Sequence, residues 1–184
     1  MAWTTPKTWA VGEVLTAANM NLHLRDNLNA LAGFFVPINH EGTGANLGFA
    51  ANEAWASRFI VPGPFAVTTV EIEIVTSAGN IDVGLFSDAA GATPTLTRVW
   101  SRGAIASPGS GDQSISISGG SPTSLTVTPG SYWLAVSSDS GSFVLRTSND
   151  VPKGGALTKT ASHPLPASIT TPTVANTGPR GILL

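Results

Sequence analysis

Apolar and charged residues alternate strictly over Val70-Glu71-Ile72-Glu73-Ile74. This is the period-two pattern of a strand with one buried face. Ile81-Asp82-Val83-Gly84-Leu85 repeats it after the turn-forming Ser77-Ala78-Gly79-Asn80. Ile115-Ser116-Ile117 and Leu125-Thr126-Val127 alternate with small hydroxyls on the polar face. Pro129-Gly130 predicts a turn, and Tyr132-Trp133-Leu134-Ala135-Val136 is the most apolar strand, expected at the centre of a sheet. Asp139-Ser140-Gly141 turns into a further strand over Phe143-Val144-Leu145-Arg146, and Arg58-Phe59-Ile60-Val61 opens the series. About eight strands with a turn every 8 to 12 residues predict a mainly β fold, an antiparallel β-sandwich of the jelly-roll kind.

The first third of the chain reads differently. Residues 1–15 look extended, because Pro6 disfavours helix at Thr5. Thr16 is a good N-cap, Ala17 to Ala32 contains no Gly, Pro or β-branched residue, and Gly33 is a natural stop. One short helix is therefore expected after an extended arm. On a heptad grid Val14, Asn21, Leu28 and Phe35 share one position, and Ala17, Leu24 and Leu31 the other core position. Asn21, Leu24, Leu28 and Leu31 then form an oligomerisation seam in which Asn21 fixes register. The alternative is one amphipathic helix packed on its own β domain; about sixteen residues of helix are marginal alone in water, so it packs on something in either case. Residues 34–54 read as a Gly- and Asn-rich connector, and residues 55–184 as the sandwich. Its last part, residues 149–180, carries five prolines and no regular pattern, which reads as an extended strap. Ile182 to Leu184 close the chain as a last strand or as a contact on a neighbouring subunit.

Composition sharpens this picture. Charged residues are 11% of the chain, against about 25% in ordinary soluble domains, and Gly, Pro, Ser and Thr take their place. The net charge is −2 with no Lys/Arg cluster, which argues against nucleic acid as a partner. There is no cysteine, hence no disulfide or thiolate chemistry. The sequence opens without a basic, apolar leader, and no apolar run approaches the ~20 residues of a membrane span. A soluble product made in a cytoplasm and not inserted into membrane is expected.

Candidate chemistry is sparse. His23, His40 and His163 show no metal-ligand spacing, and His40-Glu41 is an acid/base pair by adjacency alone. The glycines of residues 42–48 lack the strand, helix and Lys of a phosphate loop. No serine stands in a G-x-S-x-G context. Glu71 and Glu73 share a strand face, where paired carboxylates of a glycosidase are possible in principle, but nothing lifts them above an ordinary solvated strand face. Asp82, Asp88, Asp112 and Asp139 are too scattered for a dense calcium loop. No cofactor or metal is expected. Among the aromatics, Trp133 belongs to the core. Trp100, flanked by Arg98 and Arg102, is the candidate for stacking on a glycan ring.

Two tryptophans, Trp3 and Trp9, precede any possible core, which suggests a docking arm. The stretch Thr5-Pro6-Lys7-Thr8-Trp9, Gly12-Glu13, Thr16-Ala17-Ala18, Asn21 and His23-Leu24-Arg25-Asp26-Asn27-Leu28 resembles an opening segment of tailed-phage virion proteins of the minor tail or fibre type. The resemblance implies a structural, non-enzymatic protein on the exterior of a phage tail or capsid. Its implied partners are other virion proteins, docked through Trp3 and Trp9, and itself as a homotrimer. The competing expectation is a carbohydrate-binding module for host-surface glycans.

Overall fold

A computed structural model describes Val14, Thr16, Ala17 and residues 36–38, 44–89, 95–148, 156–159, 162–170, 173–175 and 178–184. The expected arm with Trp3 and Trp9, the helix seam of Asn21, Leu24, Leu28 and Leu31, and His23 and His40 lie outside the described residues.

In chain order the strands are β1 (Val36–Ile38), β2 (Gly44–Gly48), β3 (Glu53–Val61), β4 (Phe65–Val67), β5 (Thr69–Thr76) and β6 (Asn80–Ala89). There follow β7 (Thr95–Ser101), β8 (Ile105–Ala106), β9 (Gly111–Ser116), β10 (Leu125–Val127), β11 (Gly130–Ser138) and β12 (Val144–Ser148). The last are β13 (Ala156–Lys159), β14 (Ser168–Ile169), β15 (Thr173–Ala175), β16 (Gly178–Pro179) and β17 (Gly181–Leu183). Every pairing between them is antiparallel.

Eight of these strands build two packed sheets. The first runs β2-β12-β5-β9 and the second β3-β11-β6-β7. Numbered by chain order, the sheets read 1-8-3-6 and 2-7-4-5, which is the jelly-roll order. Val70, Ile72 and Ile74 of β5 face Val83 and Leu85 of β6 and Leu134 and Val136 of β11 in one continuous core. The alternation seen in the sequence is this inner face. The strand β11 is central, with β3 on one side and β6 on the other.

The stretch read as a connector contributes to the fold. Within residues 34–54, β2 is an edge strand of the first sheet, and Leu47 and Phe49 are core residues. Phe49 packs edge-on against Phe143 at 5.1 Å. The glycines and asparagines on the opposite face of β2 obscured this short alternation.

The strap is partly as expected. Residues 162–169 lie across the outer face of the second sheet, where Leu165 and Ile169 cover Ala54, Ala56, Phe86, Leu96, Trp133 and Ala135 in a second, smaller core. The C-terminal segment resolves the choice left by the sequence: it is a strand of its own domain. The strands β5 and β12 pair through Leu145 and Ile74 and part beyond that point. Residues 178–183 fill the opening, with β16 on β12 and β17 on β5. Leu183 is fully buried there. The other edge of β17 holds β1, with Val36 opposite Leu183. The chain therefore enters the domain at the end of the sandwich where it also finishes.

Candidate functional site

Trp100 is not a surface residue. It is fully buried in the inter-sheet core, and its Nε1–H donates to the Ile117 carbonyl at 3.1 Å. The cause is a β-bulge. Leu85 pairs with Trp100 while the next residue, Phe86, pairs with Arg98, so Val99 is an extra residue on β7. An inserted residue reverses which face the following side chains occupy. Arg98 and Trp100, two apart, would share a face in a regular strand; here Arg98 points outward and Trp100 inward. The two arginines are spent on backbone: Arg98 Nη1 donates to the Leu165 carbonyl and Arg102 Nη1 to the Gly119 carbonyl, both at 2.6 Å. Trp100, Arg98 and Arg102 thus form no glycan platform.

The paired carboxylates of β5 are engaged as well. Glu73 takes Arg146 from β12 at 3.2 Å and Arg180, between β16 and β17, on its other oxygen. It ties together the three strands that meet where the first sheet opens. Burial pushes its carboxyl up, but hydrogen bonds and charge from Arg180 and Arg146 outweigh that and hold it below the usual range. Glu71 accepts from Ser114 Oγ at 3.0 Å. Glu71, Glu73, Asp112 and Arg180 line a small depression of about 160 Å³. A carboxylate held by two guanidiniums is a poor proton carrier, so the depression is a structural ion-pair site.

A second polar cluster, unseen in the sequence, fastens the strap. Asp82 is fully buried and accepts from Ser101 Oγ at 2.9 and 3.0 Å and from the Leu165 N–H at 3.0 Å. Desolvation raises its carboxyl above the usual value despite these donors. Nearby, Ser137 Oγ lies 3.0 Å from His163 Nδ1. Serine beside histidine suggests a nucleophile, but Ser137 is fully buried under the strap and no substrate reaches it. Asp139, at the turn between β11 and β12, is occupied by the Asn80 side chain and backbone N–H, both at 2.7 Å, which hold its carboxyl low. Among the described residues no three His, Asp or Glu side chains converge as a metal site. No described helix is long and apolar enough to cross a membrane.

A groove of about 430 Å³ lies at the end of the sandwich where the chain enters. The paired strands β4 and β10 form one wall, and the end of β9 with the 3-10 turn Ile117–Gly119 forms the other. Val67, Ile117 and Leu125 supply the apolar part of the lining. Thr68, Ser116, Ser118, Thr123, Ser124 and Thr126 are its hydroxyl-bearing residues, and among the described residues no charged one lines it. Its backbone is fixed from behind. The Ile117 N–H donates to the Thr68 carbonyl at 2.9 Å, the Ile117 carbonyl accepts from Trp100, and the Leu184 carbonyl accepts from Thr68 Oγ1 at 3.0 Å.

No protein-family model matches this chain, and no curated protein matches it.

Proposed function

We propose that this chain is a non-enzymatic structural component of a bacteriophage particle, a trimeric tail or capsid-attached fibre or knob. The N-terminal segment anchors it and the jelly roll is displayed on the exterior. The observation that carries this reading is the segment from Thr5 to Leu28, with its resemblance to virion proteins, standing upstream of a jelly roll assembled from residue 44 onward. Supporting it, the chain enters at one end of the sandwich through β1 on the C-terminal strand, a geometry suited to hanging a domain from a stalk. The other virion proteins would meet Trp3 and Trp9, and further copies of the chain would meet Asn21, Leu24, Leu28 and Leu31. A reconstruction of the assembled particle tests this. Three jelly rolls around a local three-fold axis, joined to the particle through their N-terminal ends, are expected; absence of the chain from the particle would refute it.

The second reading, a carbohydrate-binding module for host-surface glycans, is favoured by the groove, whose described lining is Ser, Thr and apolar residues, and not by Trp100.

A further inference from the structure

We propose that the groove between β4–β10 and the Ile117–Gly119 turn binds a neutral saccharide. The inference rests on the carbohydrate-binding reading and is independent of attachment to a particle. The lining defines the ligand by its chemistry. Among the described residues no Lys, Arg, His, Asp or Glu contributes, so there a phosphate, a sialic acid carboxylate or a metal ion would find no charged partner. Six Ser and Thr residues line the groove together with Val67 and Ile117, which are buried, and Leu125, which is half-buried. Each Ser or Thr hydroxyl both donates and accepts. A sugar ring offers the same dual groups along its edge and C–H groups on its face, so its edge matches the hydroxyls and its face the apolar side chains.

The hydroxyls differ in how far they are already used. Thr68 Oγ1 is committed to the Leu184 carbonyl, and Ser116 and Ser118 bond each other at 2.9 Å. Thr123, Ser124 and Thr126 make no side-chain hydrogen bond to the described residues, which leaves one wall of the groove free to bond a ligand. Elsewhere on the surface the hydroxyls of Ser77 and Ser107, or Ser114 with Glu71, satisfy each other. The groove volume falls in the range of small-ligand sites, and its frame is fixed by core hydrogen bonds through Trp100 and Leu184, so little ordering is needed on binding. Because the groove shares its end with β1, the saccharide would be held beside the point of attachment, away from the far tip.

The test is binding of the full chain to an array carrying neutral hexose and N-acetylhexosamine oligosaccharides beside sialylated and sulfated ones. Binding to neutral members is expected. Thr126→Arg and Ser118→Arg, both at exposed positions, should each reduce it at least about tenfold with an unchanged unfolding temperature. Ser110→Arg, before the opposite end of β9, should leave it intact. Binding that survives both groove variants overturns this site while the domain remains a glycan binder. Preference for the charged glycans overturns the ligand class. A silent array removes both this site and the carbohydrate-binding reading. If one variant lowers the unfolding temperature, the other decides.

Discussion

Glu73 and Asp82 stand one on each sheet, and their surroundings drive their carboxyls in opposite directions. Glu73 is held low by Arg180 and Arg146 against its own burial, so its contribution is present above the ordinary value near 4.5 and is lost as pH falls below it. Asp82 is held high by desolvation, so its contribution is complete only below the ordinary value near 3.8 and is lost as pH rises through the raised one. Glu73→Gln should therefore lower stability at neutral pH by about 1 kcal/mol, the upper range for a part-exposed pair, and blunt the loss in acid. Asp82→Asn should flatten the decline that sets in as pH rises above the ordinary value near 3.8. Asp82→Ala, which leaves the Leu165 N–H and the Ser101 hydroxyl without their acceptor, should cost about 1–3 kcal/mol. Denaturant titrations across pH read all three. Ser57 Oγ on β3 is buried and has no hydrogen-bond partner among the described residues, so Ser57→Ala should be neutral or stabilising by up to about 1 kcal/mol in the same titrations.

Among the elements, the C-terminal strand is the one on which the first sheet depends. It brings buried Leu183, supplies Arg180 to Glu73, and closes the gap between β5 and β12. A Cβ at Gly181 would run into the Glu71 carbonyl and meet Leu134 Cδ2 at 2.9 Å. Gly181→Ala should then destabilise the domain by about 1–3 kcal/mol, visible as a lower unfolding temperature, whereas Gly63→Ala, in open space, should change little. These elements also show what the sequence discloses. Strands β5 and β6 are legible because apolar residues recur at a period of two, and β11 because it is a continuous apolar run, buried on both faces. The strand at the C-terminus is legible only as one of two readings of Ile182 to Leu184, because Gly-Pro-Arg-Gly-Ile-Leu has no such period and its place is set by where β5 and β12 part. Trp100 reads as a surface residue in the sequence because a bulge depends on cross-strand pairing, which arginines two positions away on either side do not reveal. Asp82 looked like an ordinary polar position of an alternating strand because the strap that buries it lies about eighty residues downstream.

For the whole molecule, the eight jelly-roll strands run from residue 44 to residue 148, β1 and the C-terminal strand at 181–183 pair with each other in the first sheet, and the proposed trimer is the business of the segment before residue 34. Sedimentation of the full chain at micromolar concentration should give the mass of three chains, and Leu24→Ala with Leu28→Ala should shift it toward one chain without unfolding the sandwich. The claim that this segment attaches a self-sufficient domain to a phage particle is tested most directly by deleting residues 2–12 and measuring incorporation of the folded product into particles. The account predicts a jelly roll with an unchanged unfolding temperature that no longer appears in purified particles. A truncated chain that still incorporates, or one that fails to fold, would contradict it.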